Sequence, residues 1–172
     1  MNNNETIEEL QSQNIKYASE KADIISKHIN SQNPDILVLT CSDSRVVPEY
    51  IFKKDIGEIF TIRVAGNIAL CPSVITSIEY AVTNLDIELI IILGHTNCGA
   101  IAAAEKSKDC GDLLQEIRES FKIDSNHALA NLKRQLEYLP KRSKIIEDAI
   151  KSNKLDLIGA IYHLENGLVE FL

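Results

Sequence analysis

The chain has 172 residues, of which 45% are hydrophobic, enough for one domain with a substantial core. Its formal net charge is −7 and it carries no basic stripe, which argues against a nucleic-acid partner. No apolar segment reaches the roughly 18–20 residues needed to cross a bilayer, and the polar, acidic N-terminus is unlike a signal peptide. We therefore expect a single domain over residues 1–172, cytoplasmic and without a membrane partner.

Helical and extended patterns alternate along the chain. Residues 6–30 are polar with periodic apolar positions, which predicts one or two amphipathic helices that begin near Thr6. Strands are predicted over residues 35–40, 58–64, 89–93, 156–163 and 168–172. Helices are predicted over residues 48–54, 72–83, 99–106, 113–121, 124–139 and 142–152. This alternation predicts an α/β fold with a mostly parallel central sheet flanked by helices.

Three local signals divide the second half of the chain. Residues 109–112 are predicted to break the helical pattern, and Pro140 is predicted to separate two helices. The turn Glu165-Asn166-Gly167 contains an Asn-Gly pair, which is the strongest short signal for a hairpin between the last two strands. The N-terminal helices have two interpretations, since they either cover their own sheet or pack on another subunit.

Two apolar runs end in side chains that bind metals. The first leads into Cys41-Ser42-Asp43-Ser44-Arg45, and the second leads into Gly94-His95, with Cys98 just before an Ala-rich helix. If the two strands are parallel neighbours, Cys41 and Asp43 face His95 and Cys98. Two cysteines, one histidine and one aspartate suit tetrahedral zinc. The helix N-terminus after Cys98 favours a thiolate on that residue.

The role of such a zinc ion depends on Asp43. Three protein ligands leave a position for water, whereas a fourth ligand closes the site. Arg45 lies two residues from Asp43, and a guanidinium can hold a carboxylate in a bidentate pair. Held in this way, Asp43 leaves the position open for a zinc-bound hydroxide, a nucleophile for a small electrophilic carbon. The residues alone leave open a catalytic zinc, a structural zinc and a thiol site without metal.

Several other reactive residues lack a spacing that suggests chemistry. Cys71 and Cys110 lie in turn-like contexts, and we expect both to be plain structural or surface residues. His28, His127 and His163 are candidates for a proton relay, but no spacing places them near the site, and we expect surface or hydrogen-bonded histidines.

The motifs resemble those of the β-class carbonic anhydrases, and specifically their compact prokaryotic type. Residues 41–46 (CSDSRV) resemble the first zinc motif of the family, and residues 94–100 (GHTNCGA) resemble the second. Residues 63–67, 77–82 and 159–171 are similar to further family blocks, so that the resemblance spans nearly the whole chain.

The resemblance implies a zinc lyase that reversibly hydrates carbon dioxide to bicarbonate and a proton. It implies that Cys41, His95 and Cys98 bind one Zn2+ per chain. Asp43 and Arg45 would form a catalytic dyad, with Asp43 as a possible fourth ligand in a closed state, and the backbone of Gly99 would shape the substrate site.

The resemblance also bears on assembly and on the alternatives. It implies an antiparallel C-terminal strand and a homodimer or tetramer in which residues 1–33 form a helical arm over a partner subunit. Val64 stands where many members have Asn, and we expect a change in packing only. A rival is hydrolysis of carbon disulfide or carbonyl sulfide at the same site. A non-catalytic zinc-binding subunit is another, against which the presence of Arg45 argues.

Overall fold

The computed structural model describes residues 2–107 and 111–172. The chain divides into two compact units, Met1–Gln32 and Asn33–Leu172. Cys110 and the first half of the predicted break at 109–112 lie outside the described residues. Among the described residues, no helix is both long and apolar enough to cross a membrane.

The N-terminal unit consists of two helices, α1 (Asn3–Glu20) and α2 (Ala22–Lys27). Helix α1 begins before the predicted Thr6 because Asn2 and Glu5 form a capping box: the Glu5 N–H donates to Asn2 Oδ1 (3.0 Å) and the Asn2 N–H donates to Glu5 Oε2 (2.8 Å). Helix α1 buries none of its residues.

The second unit is built on a five-stranded sheet, as the α/β prediction requires. The strands are β1 (Ile36–Thr40), β2 (Ile59–Arg63), β3 (Leu89–His95), β4 (Asp156–His163) and β5 (Leu168–Phe171). They lie in the order β2-β1-β3-β4-β5, and all neighbours are parallel except β4 and β5. The mostly parallel sheet with an antiparallel C-terminal strand is therefore confirmed.

Helices cover both faces of this sheet. They are α3 (Pro48–Ile51), α4 (Pro72–Asn84), α5 (Gly99–Lys106), α6 (Asp112–Ser120), α7 (His127–Arg142) and α8 (Lys144–Lys151). The prediction that Pro140 separates two helices was wrong, since Pro140 lies inside α7. A proline so close to the end removes only one helical hydrogen bond, and the helix ends two residues later. Ser143 then caps α8, where its Oγ accepts from the Ile146 N–H.

Alternation along the strands divides the core between the two faces. Leu37 and Leu39 pack with residues of α4, α7 and α8, whereas Val38 packs on the opposite face with Val46 and Leu93. All five side chains are 0% exposed. Because both faces are covered, the central strands are apolar on both sides, and polar chemistry is confined to their ends.

Glu116 on α6 joins α6 to α7 through a buried ion-pair cluster. Its carboxylate accepts from Arg134 Nε at 3.0 Å and from Arg142 Nη2 at 2.9 Å, and the residue is only 7% exposed. Burial acts to raise the pKa of Glu116, but the hydrogen bonds from the two arginines outweigh it, so that the pKa is lowered.

We predict that Glu116→Gln destabilises the protein by about 3 kcal/mol at pH 7, because two charge-assisted bonds are weakened at a buried position. A lowered pKa means that this contribution is present above the unfolded-state pKa of about 4.3 and is lost as the pH falls through the folded-state value. The difference from the wild type in urea unfolding should therefore shrink in acid. The half-buried Glu119→Gln on the same helix is the control, and equal losses for both variants would contradict the prediction.

Candidate metal centre

The register of β1 and β3 brings the predicted ligands together. Thr40 and Leu93 are paired neighbours, so Cys41 leaves its strand beside the end of β3, where His95 lies. Cys98 follows as the N-cap residue of α5. The three side chains are 4%, 1% and 5% exposed, and their ligand atoms all lie within 4.8 Å of one another. In the part of the chain that the structure describes, this is the only such group of three or more.

The His95 imidazole is oriented for a ligand. Its Nδ1 lies 2.8 Å from the carbonyl oxygen of Thr96, which can only accept, so the proton is on Nδ1. In the neutral ring Nε2 then carries the free lone pair, and among the described residues it is one of two buried side-chain atoms without a hydrogen-bond partner. A buried, unpaired nitrogen costs free energy unless something binds its lone pair. A backbone carbonyl that fixes the tautomer is typical of metal-binding histidines.

The two cysteine sulfurs lie 3.9 Å apart, and the Gly66 N–H also donates to Cys41 Sγ at 3.3 Å. The hydrogen bond from the Cys98 thiol, with His95 and Gly66, lowers the pKa of Cys41 to about 4 despite its burial. The same contact and burial raise the pKa of Cys98. The backbone N–H groups of Ile101 and Ala100, in the first turn of α5, act to lower the pKa of Cys98 as the sequence predicts, but the contact with Cys41 and burial outweigh them. A second negative charge beside the Cys41 thiolate costs more than the helix end supplies.

Asp43 is held by Arg45 in the bidentate pair that the sequence suggested. Arg45 Nε donates to Oδ1 at 2.9 Å and Nη2 donates to Oδ2 at 2.7 Å, while the Arg45 backbone N–H donates to Oδ1 at 3.0 Å. The hydrogen bonds from the Arg45 side chain keep the pKa of Asp43 well below its usual range. Asp43 Oδ2 nevertheless lies 3.9 Å from His95 Nε2, beside the ligand atoms.

Two further contacts tie this pair to the rest of the site. Arg45 Nη2 also donates to the carbonyl oxygen of Asn97, in the loop between His95 and Cys98, at 3.2 Å. Arg63, at the end of β2, donates from Nη2 to the carbonyl of Asp43 at 2.6 Å and from Nε to that of Cys41 at 3.3 Å. The 41–45 loop is therefore bonded to the ends of both neighbouring strands.

The hairpin after β4 contributes a residue that sequence reasoning treated only as part of a turn. Glu165 accepts from Thr96 Oγ1 at 2.8 Å and from Asn97 Nδ2 at 2.9 Å, and Thr96 Oγ1 also accepts from the Leu164 N–H. Asn97 has a φ of 53°, in the left-handed region. Glu165 thus fixes the strained loop that carries His95 and Cys98. A carboxylate inside a turn was the only available signal.

The remaining predicted residues lie as follows. Gly99 opens α5 directly after Cys98, and a Cβ placed there would meet no heavy atom within 4 Å, so open space borders the site. Cys71 is exposed. His127 lies 2.7 Å from Glu105 and stacks on Phe121, and His163 lies 3.1 Å from Glu170. Among the described residues, no hydrogen bond or ion pair joins Cys71, His127 or His163 to the ligand atoms.

The donors present suit zinc. Two sulfurs and one neutral imidazole nitrogen are borderline-soft ligands, and harder ions such as Mg2+ and Ca2+ prefer oxygen. The unpaired His95 Nε2 would be satisfied by such an ion, and a metal would offset the repulsion between two neighbouring thiolates.

Comparison with known proteins agrees with this chemistry. A family model described as carbonic anhydrase matches residues 36–169. A carbonic anhydrase of Mycolicibacterium smegmatis is 31% identical over 156 residues, which cover 81% of this chain and 75% of the relative. Carbonic anhydrase 2 of Mycobacterium tuberculosis is 32% identical over 152 residues, which cover 79% of this chain and 73% of that protein.

Solved structures share the fold over nearly the whole chain. A tetrameric β-carbonic anhydrase of Sordaria macrospora aligns with a TM-score of 0.85 and 25% identity, covering 98% of this chain and 97% of the other. The Coccomyxa β-carbonic anhydrase in complex with acetazolamide aligns with a TM-score of 0.83 and 26% identity, covering 97% and 84%. The chain belongs to the β-carbonic anhydrase family.

We predict that Cys98→Ser weakens zinc binding at least about 100-fold, because a serine hydroxyl is a poor replacement for a thiolate. Cys71→Ser removes an exposed cysteine and should leave zinc binding unchanged. Zinc content after dialysis and competition with a chelator measure both. Equal affinity in the Cys98→Ser protein and the wild type would contradict the assignment of Cys98 as a ligand.

Proposed function

We propose that this chain is a zinc-dependent carbonic anhydrase that reversibly hydrates carbon dioxide to bicarbonate and a proton. The observation that carries the proposal is the position of Asp43. Its carboxylate is locked on Arg45 while one oxygen lies 3.9 Å from the bare His95 Nε2, within a Cys-His-Cys group. A purely structural site has no need of an arginine that holds a fourth candidate ligand away.

Cys41, His95 and Cys98 would hold the ion as three protein ligands. When bound, zinc supplies a Lewis acid that makes water a nucleophile near neutral pH. Two thiolates cancel the charge of the ion, which weakens its effect on the pKa of a bound water. Other residues of the chain must therefore help to activate and orient the reacting water. The lowered pKa of Asp43 keeps its carboxylate ionised, and therefore able only to accept hydrogen bonds.

Asp43 and Arg45 then have complementary roles. Asp43 accepts a hydrogen bond from the attacking water and points the oxygen lone pair at the carbon of carbon dioxide. The carbon–oxygen bond forms, one carbon–oxygen double bond opens to give bicarbonate, and the water gives up a proton to solvent. Arg45 keeps Asp43 in this position. Without its partner, Asp43 lies close enough to the ligand atoms to become the fourth ligand, which is the closed state.

The substrate is small and uncharged, and the space beside Gly99 suits it. A Cβ at Gly99 would meet nothing within 4 Å, so carbon dioxide has room at the first turn of α5. The Gly99 backbone lies next to Cys98, and we assign it to the wall of the substrate site.

Stopped-flow hydration of carbon dioxide at pH 8.5, with zinc measured on the same sample, tests the function. Rapid hydration with about one zinc per chain is the expected result. Full zinc loading without hydration would overturn it, and assays with carbon disulfide and carbonyl sulfide would then decide between a sulfur substrate and a locked, non-catalytic site.

We predict that Arg45→Ala lowers kcat at least about 100-fold with zinc fully bound, because Asp43 is released from its partner. Arg45→Lys should recover only part of the loss, since an ammonium cannot form the bidentate pair. Lys151→Ala, which removes an exposed positive charge from α8, is the control. Activity like that of the wild type in zinc-replete Arg45→Ala would contradict the role given to the dyad.

We further propose that the protein forms a homodimer or tetramer through its N-terminal helices, residues 1–33, and that it works in the cytoplasm, where its thiols stay reduced. Helix α1 supports the proposed assembly. Its side chains Ile7, Leu10 and Tyr17 lie on one helical face and are 52%, 63% and 45% exposed, an apolar stripe that a partner subunit would cover.

Leu10→Glu combined with Tyr17→Glu should lower the oligomeric state, measured by light scattering on a sizing column. Ser12→Glu combined with Ser19→Glu adds the same charge to the opposite face of α1 and should leave the mass unchanged. An unchanged mass for both double variants would overturn the arm as the assembly element.

A further inference from the structure

Two amide side chains lie at the centre of α7, one helical turn apart. Asn131 and Gln135 are both 0% exposed, and Gln135 Nε2 donates to Asn131 Oδ1 at 3.2 Å. Burying two amides costs free energy that only hydrogen bonds offset, and apolar residues at these positions would pack without that cost. We therefore expect both amides to form hydrogen bonds to other buried polar groups.

The hydrogen-bond partners of these amides are backbone groups of the turn that follows β2. The Ala69 N–H donates to Gln135 Oε1 at 3.0 Å, and Asn131 Nδ2 donates to the carbonyl oxygen of Gly66 at 2.8 Å. We call this chain of three hydrogen bonds, from Ala69 through Gln135 and Asn131 to Gly66, the amide relay. It clamps both ends of the segment 66–69 onto one helix.

The two ends of the amide relay determine its direction. A backbone N–H at Ala69 can only donate, so Gln135 must present its oxygen there and its NH2 group to Asn131. A backbone carbonyl at Gly66 can only accept, so Asn131 must present its NH2 group there. Both amide orientations follow, and the relay is satisfied in one arrangement only.

The segment held by the amide relay reaches the metal centre through Gly66. The Gly66 N–H donates to Cys41 Sγ at 3.3 Å. Gly66 has a φ of 71°, and a Cβ added to it would lie 2.5 Å from Ile117 Cδ1. The carbonyl of Ala69 also accepts from Arg142 Nη1, a third bond from α7 to this segment.

We propose that Asn131 and Gln135 are positioning residues of the metal centre, which hold Gly66 so that its N–H stays bonded to the Cys41 sulfur. This inference rests on the proposed zinc site. A hydrogen bond to a metal-bound thiolate is charge-assisted and withdraws electron density from sulfur. Cys41 then acts as a weaker electron donor than it would without the bond from Gly66, and the geometry of its loop is fixed before the ion arrives.

The test compares metal binding in variants of the full-length protein. Asn131→Leu removes the hydrogen bond to the Gly66 carbonyl, and Gln135→Met removes the hydrogen bond from the Ala69 N–H. Both substitutions change the side-chain volume only a little. Asn131→Leu should weaken zinc binding about tenfold, the lower end of the effect of outer-shell partners, and Gln135→Met should weaken it less. With cobalt(II) in place of zinc, the sulfur-to-cobalt charge-transfer band should move to lower energy, since the Cys41 electrons are less stabilised.

Ser120→Ala is the matched control. Ser120 is also 0% exposed, but its hydroxyl donates only to the carbonyl of Ile117 in its own helix at 2.6 Å. Ser120→Ala should lower the thermal stability without changing the zinc affinity or the energy of the cobalt band. If both α7 variants have the same zinc affinity and the same cobalt band energy as Ser120→Ala, the two amides have only a structural role. That result would overturn the proposal.

A measurement on the wild type keeps the proposal testable if the α7 variants do not fold. With cadmium-113 in place of zinc, a scalar coupling from the Gly66 amide proton to the metal should cross the N–H···S bond. Its absence in the folded, loaded protein would overturn the proposal. A wild-type chain that binds none of these metals would instead refute the proposed zinc site, so that the two failures are distinct.

Discussion

The parallel pairing of β1 with β3 is the constraint on which the site depends. Ile36 pairs with Leu89 and Thr40 with Leu93, and the buried Thr40 hydroxyl donates to the Leu93 carbonyl at 2.9 Å. A shift of one residue would exchange the side chains that pack on the two covered faces, and each would then meet a cluster that it does not fit, so packing fixes this register. Cys41 and His95 leave their strands at positions set by that register, and the gap between their ligand atoms follows from it.

Around these strand ends, the site is built from irregular backbone that other elements restrain. Gly66 and Asn97 both have left-handed φ values, 71° and 53°. Asn97 directly precedes Cys98 in the chain, and the Gly66 N–H donates to Cys41 Sγ. Strained conformations persist only where the surroundings over-determine them. Glu165 restrains the loop at Asn97, and the amides of α7 restrain the turn at Gly66. The rigid sheet thus sets the coarse positions, and polar side chains from distant elements set the fine ones.

The sequence pattern was sufficient to predict those features whose geometry depends on residues close together in the chain. The apolar runs before Cys41 and His95, the Asn-Gly turn and the start of α5 at Gly99 all follow from periodicity and turn chemistry. The bidentate Asp43–Arg45 pair is two residues apart in sequence and was accessible for the same reason.

Long-range features were not accessible in this way. The partners of the amide relay are separated by 65 and 66 residues along the chain, and a polar residue on an amphipathic helix gives no sign that it faces inward. The ionisation of Cys98 was predicted from its own helix alone, whereas the sulfur of Cys41, 57 residues away, acts against the helix and raises the pKa of Cys98. Pro140 was taken as a boundary because a local rule cannot weigh the tertiary contacts of α7.

The unpaired nitrogen of His95 has a consequence for the energy landscape of the chain. Folding buries the His95 Nε2 without a hydrogen-bond partner and brings two sulfurs to 3.9 Å from each other, where two thiolates would repel. Local preferences and the global fold disagree here, which is frustration in the sense used for folding landscapes. The apolar core of the sheet supplies the folding free energy that offsets the unfavourable burial of these groups. Metal binding would then turn this unfavourable region into one of the most strongly bonded parts of the native state.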